Sequence, residues 1–189
     1  MFNNKNSAPM KNPIYFLFLL ALIMSSCNGP KAEDSCGIWS IDYYVDSFGD
    51  ITNTPYIKST DIKGVYARNF RSEAIMCLMY SEDKSSNPEI GIVLSSSHDL
   101  VGAYMNSFTI KVSGEEFDPI VVNSKYIDDL GRFVIEGKNA KKIFHVLSSA
   151  SSCEIKGHHE GFFSNTSFVF QVDSLAGLPS VYKKYKSLK

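Results

Sequence analysis

The stretch GIWSIDYYV, residues 37–45, alternates large apolar side chains with polar ones. Trp39 and Tyr43 fall on one side of an extended chain, and Asp42 falls on the other. A period of two residues is typical of a strand that buries one face. Turn-forming residues dominate the next ten positions, 46–55, and end the strand.

Similar short segments follow along the chain. AIMCLMYS, residues 74–81, is apolar on both faces, which is typical of a central strand. Strand patterns return in residues 90–96, 108–113, 152–160 and 167–173. Many short strands at a spacing of about 8–12 residues predict a sandwich or a barrel.

Two segments near the end of the chain have helical spacing instead. NAKKIFHVLSSA, residues 139–150, repeats apolar residues at i, i+3, i+4 and i+7, and Asn139 is a suitable N-cap. In LPSVYKKYKSLK, residues 178–189, Pro179 suits the first helical position, and an apolar stripe is formed by Leu178, Val181, Tyr182 and Tyr185. The predicted fold is therefore mainly β: an antiparallel β-sandwich-like single domain, residues 37–189, with two short helices in its C-terminal third.

The first 26 residues have the features of a secretory signal. Lys5 and Lys11 precede a continuously apolar run, Ile14–Met24, and two serines follow it. The run has about half of the ~20 residues that a transmembrane helix needs. Residues 1–26 are therefore predicted to be a signal peptide rather than a membrane span.

The segment Met24-Ser25-Ser26-Cys27 resembles the lipobox of bacterial lipoproteins, although Met24 replaces the usual leucine. The resemblance implies that Cys27 becomes a lipidated first residue, which anchors the protein to the cell envelope, with the outer membrane as the expected location. Residues 27–36 would then form a flexible tether. An ordinary signal peptide with a chance cysteine, and an uncleaved anchor, are the alternatives.

Charge and length restrict the classes of function. The net charge is −1, and it becomes −3 once Lys5 and Lys11 leave with the signal peptide, because no acidic residue precedes Glu33. The sequence has no basic patch that would indicate nucleic-acid binding. About 160 residues remain, enough for one domain with a sizeable core.

Three cysteines remain after Cys27 in an oxidising compartment, so one disulfide is expected. Cys77 lies in an apolar run and is predicted to be a small buried residue. That favours a bridge between Cys36 and Cys153, although spacing does not fix the pairing. A metal site is the alternative, but no two cysteines lie close together in sequence.

Both ends of the domain resemble envelope protein families. WSIDYYVDSFGDIT, residues 39–52, resembles the start of uncharacterised Bacteroidetes-type envelope lipoproteins. Residues 143–185, from IFHVLSSASSCEIKGHHEG to LPSVYKKY, loosely resemble the tail of the invasion-associated locus B family, with an insertion at 173–178. The resemblance implies a β-sandwich with short helices and no established activity.

The loop after the first strand carries the candidate binding residues. Asp46 and Asp50 are oxygen donors that could serve Ca²⁺, but a calcium loop needs more of them. The alternative is a turn in which aspartate caps backbone N–H groups and Gly49 has a positive φ. Tyr44 and Phe48 are the aromatic residues expected to be exposed, and they could form a platform for a sugar or a peptide.

No catalytic constellation emerges from the remaining polar clusters. His158 and His159 would point to opposite faces of a strand, so they cannot jointly bind one metal ion. Residues 95–99, SSSHD, place serine, histidine and aspartate too close together in sequence for a triad. No metal or cofactor is expected. A hydrolase using His98, Asp99 or His158 is a third hypothesis.

The sequence thus predicts a lipid-anchored envelope protein that acts as a non-catalytic binding or structural module. Its expected partners are the membrane, through Cys27, and a protein or glycan. The alternative is a periplasmic protective lipoprotein that blocks a toxin or hydrolase, which an acidic groove or a protruding loop would favour.

Overall fold

The computed structural model describes residues 34–68, 71–83, 85–96, 107–127, 131–160 and 165–189. Asp34–Lys189 form one compact unit. Its strands are β1 (Ser35–Cys36), β2 (Trp39–Val45), β3 (Ile51–Ser59), β4 (Ile62–Ala67), β5 (Arg71–Glu82), β6 (Pro88–Ser96), β7 (Thr109–Gly114), β8 (Ile120–Asn123), β9 (Lys125–Ile127), β10 (Arg132–Glu136), β11 (Ser152–Glu160) and β12 (Asn165–Asp173). Its helices are α1 (Gly137–Ser149) and α2 (Leu178–Ser187).

The twelve described strands form one antiparallel sheet that branches at β5. One edge of β5 pairs with β6 along Ala74–Glu82. The other edge pairs first with β4 and then, at Met79–Tyr80, with β3. The strands run β1-β2-β3 on one side of this branch and β4-β12-β11-β7-β8 on the other, while β6 continues into β10 and β9. The prediction of a mainly β, antiparallel domain with two helices is confirmed.

One face of the sheet packs with both helices around an aromatic core. β5 shows why: Ala74, Met76, Leu78 and Tyr80 are buried at every second position. Burying such side chains stabilises the fold by roughly 1.5–3 kcal/mol each. The largest fully buried side chains include Trp39, Tyr66, Phe108, Phe133, Phe168, Phe170 and Tyr185.

Two glycines make room for core phenylalanines on the neighbouring strand. Gly157 of β11 stands opposite Phe168 of β12, and Gly64 of β4 stands opposite Phe170. A methyl group added to either glycine would overlap the facing ring. The phenylalanine therefore occupies the space that a side chain on the adjacent strand would need.

Both predicted helices form, with one boundary corrected. α1 starts at Gly137, so its N-cap is Glu136, without a side-chain cap bond, and the predicted cap Asn139 lies inside the helix. α2 begins at Leu178, has proline in its first turn and buries Leu178, Val181 and Tyr185, as the apolar stripe predicts.

The predicted bridge between Cys36 and Cys153 is absent from the structure, where Cys153 is a free thiol. Cys153 faces the core from β11, opposite Val172, and is 2% exposed. Cys36 lies in β1, with its backbone against Gly177. Burial raises the pKa of the Cys153 thiol to about 12. Sequence counting could not reveal that Cys153 is used as a small core residue.

Candidate functional site

The β2–β3 hairpin ends in an exposed apolar tip. Every residue of Val45–Ile51, here called the hairpin tip, is exposed. Three of them are large and apolar: Val45 is 63% exposed, Phe48 is 90% exposed and Ile51 is 76% exposed. Val45 and Ile51 pair directly across the two strands. The tip is therefore an apolar surface on an edge hairpin, with a phenylalanine at its turn.

Burial declines steadily along β2 toward this tip. Trp39 is 2% exposed, and its indole N–H donates to the carbonyl of Leu175 at 3.2 Å. On the same face, Ile41 is half-buried and Tyr43 is 36% exposed. The register shifts between Tyr43 and Val45, which marks a bulge. The alternation that predicted a half-buried strand thus continues past the end of the core.

Asp46 organises the turn through its side-chain carboxylate. Its Oδ1 accepts the backbone N–H of Phe48 at 2.9 Å and of Asp50 at 3.0 Å. Gly49 has a φ of +87°. The interpretation of this segment as an aspartate-capped turn is therefore confirmed. The capped turn holds Phe48 at the apex of the hairpin.

Tyr44 lies on the opposite face of β2 and is not part of the apolar tip. Its hydroxyl accepts a hydrogen bond from Nη1 of Arg132 at 3.2 Å, and its ring packs on Tyr56 at 4.6 Å between centroids. Nη2 of Arg132 also pairs with Oε1 of Glu89 at 2.8 Å. Phe48 is exposed as the sequence predicts, whereas Tyr44 is half-buried by these contacts.

An ion pair joins the two strands below the tip. Nζ of Lys58 donates to Oδ2 of Asp42 at 2.5 Å. This hydrogen bond lowers the pKa of Asp42 and raises that of Lys58, so both groups stay charged near neutral pH. Both side chains are about 40% exposed, so the pair orients the hairpin more than it stabilises the fold.

Of the polar clusters singled out in the sequence, His158–Glu160 lies within the described residues, at the end of β11. His158 is exposed on β11, and its Nε2 lies 3.6 Å from Oε1 of Glu160. His159 points to the other face, with its Nδ1 2.8 Å from the carbonyl oxygen of Ser107. No group of three or more potential metal ligands was found among the residues that the structure describes.

Three predictions concern residues outside the described ranges. These are lipidation at Cys27, the signal peptide at 1–26, and the polar residues His98 and Asp99. No helix within the described ranges is long and apolar enough to cross a membrane.

Comparison with protein-family models, with curated proteins and with solved structures found no match. The class of protein is therefore defined by the fold and the exposed surface alone. It is a mainly β, antiparallel domain that carries an apolar hairpin tip. From the sequence, Phe48 was expected to be an exposed binding residue, but Val45 and Ile51 were not. The signal was their position directly beside the turn, where no core remains to cover them.

Proposed function

We propose that this chain is a lipid-anchored protein of the bacterial envelope that acts as a non-catalytic binding module through its hairpin tip. The single observation that carries the proposal is the 90% exposure of Phe48 between exposed Val45 and Ile51. Exposed apolar patches mark interaction sites, and aromatic residues are enriched there.

The turn supports this proposal because it is already ordered without a partner. Asp46 holds the backbone N–H groups of Phe48 and Asp50, and Gly49 closes the turn. A preordered loop loses less conformational entropy on binding, which leaves more of the contact energy for affinity. Phe48 would then be the anchor residue that enters a pocket on the partner.

The anchor proposed at Cys27 sets where this tip can act. About seven residues, 28–34, would separate the lipidated Cys27 from β1, because Ser35 and Cys36 already belong to that strand. A fully extended tether of that length spans at most about 25 Å. The partner would accordingly lie on or near the same membrane.

Two measurements test the proposal. The first compares the wild type with Cys27→Ala in a Gram-negative host by intact mass and membrane fractionation. Acyl mass and membrane association in the wild type alone would support the anchor, and identical soluble processing of both would contradict it.

The second measurement compares recovery of a crosslinked partner from envelopes by the wild type, Phe48→Ala and Val121→Ala. Val121 is a matched control on β8, because it is 61% exposed and lies outside the hairpin. Loss of an aromatic anchor weakens an interface by about 2 kcal/mol, or about 30-fold. Equal recovery by all three proteins would show that the tip is not the binding surface.

The hairpin tip also favours a second candidate, a protective lipoprotein that blocks a toxin or hydrolase. A rigid hairpin with an apex phenylalanine can enter an enzyme cleft, and Asp46 and Asp50 suit a cleft with a basic rim. Inhibition of the partner by the wild type and not by Phe48→Ala would distinguish this candidate from passive binding.

A further inference from the structure

A groove of about 760 Å³ lies between α1, α2 and the β5–β6 connection. Its volume falls in the range of small-molecule sites. It shares no residue with the hairpin tip, so its occupant is a separate question from the proposed function.

The walls of the groove carry excess positive charge. Lys138 and Lys141 line it from α1, and Lys186 lines it from α2. Lys186 is neutralised by Glu82, whose carboxylate lies 2.8 Å from its Nζ. No carboxylate of the described residues lies within ion-pair distance of Lys138 or Lys141. Within the described part of the chain, two cations therefore face the groove without a paired carboxylate, in a protein whose net charge is negative.

Glu82 does not cancel this excess positive charge, because its own negative charge is already paired with Lys186. Its side chain is 5% exposed. Oε1 accepts hydrogen bonds from the hydroxyls of Tyr80 at 2.8 Å and Tyr182 at 3.0 Å. Burial raises the pKa of Glu82, but the hydrogen bonds from Lys186, Tyr80 and Tyr182 outweigh it and hold the pKa below its usual value. Glu82 is thus ionised and internally paired.

Aromatic rings form the floor between these charges. Phe144 of α1 lies with its centroid 4.2 Å from that of Tyr80 and 4.8 Å from that of Tyr182. Phe144 and Tyr182 are half-buried, so each presents part of a ring to the groove. Such a floor suits the apolar face of a ring-shaped ligand.

Polar groups complete the lining at one end and along α1. Asn87 lines the groove and donates an N–H of its Nδ2 to Oδ2 of Asp83 at 3.0 Å, and its side-chain carbonyl oxygen can accept a hydrogen bond. The hydroxyl of Ser148 donates to the carbonyl of Phe144, which leaves its lone pairs free to accept. Acceptors at these points match ligand hydroxyl groups.

We propose that this groove binds an acidic sugar, a uronic-acid unit of a glycan. Lys138 and Lys141 would hold its carboxylate, Phe144 and Tyr182 would pack against the ring, and Asn87 would accept from a hydroxyl. An acidic peptide would satisfy the lysines too. It would need partners for its backbone, and the strands that contribute to the lining, β5 and β6, are each paired on both edges, so they offer no open strand edge.

The test is a binding titration of the full chain in a zwitterionic detergent that carries no sugar. D-glucuronate is compared with D-glucose, which has a hydroxymethyl group in place of the carboxylate, and binding is followed by ligand-observed NMR. The wild type is expected to bind glucuronate at least about tenfold more tightly than glucose, because the carboxylate adds charge-assisted hydrogen bonds.

The variants assign that preference to the groove. Lys138→Gln combined with Lys141→Gln keeps the helix propensity of α1 and is expected to abolish the tenfold preference. Lys142→Gln is the matched control, because Lys142 is exposed on the same helix but does not line the groove. Circular dichroism establishes that each variant is folded.

Four outcomes would overturn the proposal. They are equal binding of the two sugars, an unchanged preference in the double variant, the same loss in Lys142→Gln, and no binding of glucuronate at about 10 mM, which exceeds a millimolar Kd. Binding of a glutamate-rich peptide without glucuronate would reassign the groove to an acidic protein. None of these outcomes depends on Phe48 or Cys27, so the proposed function is tested separately.

Discussion

Replacing Glu82 by alanine tests how the C-terminal helix is fixed to the sheet. The Glu82 side chain accepts hydrogen bonds from Tyr80, which is on its own strand, and from Tyr182 and Lys186 of α2. Alanine keeps the backbone N–H that donates to the Tyr185 hydroxyl at 3.0 Å. The substitution therefore removes the carboxylate contacts and leaves the main-chain contact in place.

The expected loss of unfolding free energy is about 3 kcal/mol. Hydrogen bonds to charged groups contribute about 1.5–3 kcal/mol each, and two tyrosine hydroxyls are affected. The sum is reduced because Tyr182 is half-buried and can turn to water. Tyr80 is 5% exposed and cannot turn to water in the same way, so its hydroxyl loses its carboxylate acceptor inside the protein.

Urea denaturation followed by tryptophan fluorescence measures this loss, since Trp39 is the single tryptophan and is buried in the core. Glu154→Ala is the matched control. Glu154 forms an ion pair with Lys156 at 2.9 Å, but its side chain is 34% exposed, so the change should stay within about 0.5 kcal/mol. Equal losses in the two variants would refute the reasoning.

A double-mutant cycle with Tyr80→Phe tests how much of the loss of unfolding free energy arises from the hydrogen bond between Tyr80 and Glu82. Tyr80→Phe is expected to destabilise the wild type by about 1.5–3 kcal/mol and to be nearly neutral in the Glu82→Ala background. The second value is small because Glu82→Ala has already removed the carboxylate that accepts from the hydroxyl. The same loss in both backgrounds would mean that the Tyr80 hydroxyl and the carboxylate act independently.

Three further predictions concern packing, pH and thiol chemistry. Gly157→Ala is expected to destabilise the domain by about 1–3 kcal/mol in urea, because its methyl group would overlap the Phe168 ring; no change would refute the tight fit. Folding lowers the pKa of Glu82, so the contribution of Glu82 to the free energy of unfolding is full above the unfolded-state pKa of about 4.3 and is lost as the pH falls through the folded-state pKa. Glu82→Gln should therefore weaken the fall of the unfolding free energy at acidic pH. The same fall in both proteins would contradict this. Cys153 should resist iodoacetamide at pH 8 in the folded protein and react once urea unfolds it, and rapid modification of the native thiol would contradict its burial.

Local patterns predicted the elements of the fold but not their connections. The alternation in β2 and the apolar stripe of α2 are properties of neighbouring residues, so they could be read from the sequence. The branch at β5 depends on which distant strands share its edges. Likewise, the pairing of Gly157 with Phe168 is a cross-strand contact that no periodicity shows.

In the candidate site too, features of neighbouring residues were predictable, and contacts between distant residues were not. Exposure of Phe48 was predictable because turn formers surround it, and the role of Asp46 in capping follows from the same segment. Glu82 carried no signal, since Tyr182 and Lys186 lie about a hundred positions further along the chain. Tyr44 was expected to be exposed, and only folding brings Arg132 and Tyr56 against it.

The geometry of the hairpin argues that Phe48 is not required by folding. The turn is formed by the carboxylate of Asp46 and by the positive φ of Gly49, and the side chain at position 48 contributes to neither. A polar residue at position 48 would give the same turn and would expose no apolar surface to water. Exposed apolar surface favours aggregation. On the proposed function, the identity of residue 48 is set by its contact with a partner. The stability of Phe48→Ala should accordingly match the wild type within about 0.5 kcal/mol in urea, while its partner binding is lost. A marked loss of stability would instead give Phe48 a structural role.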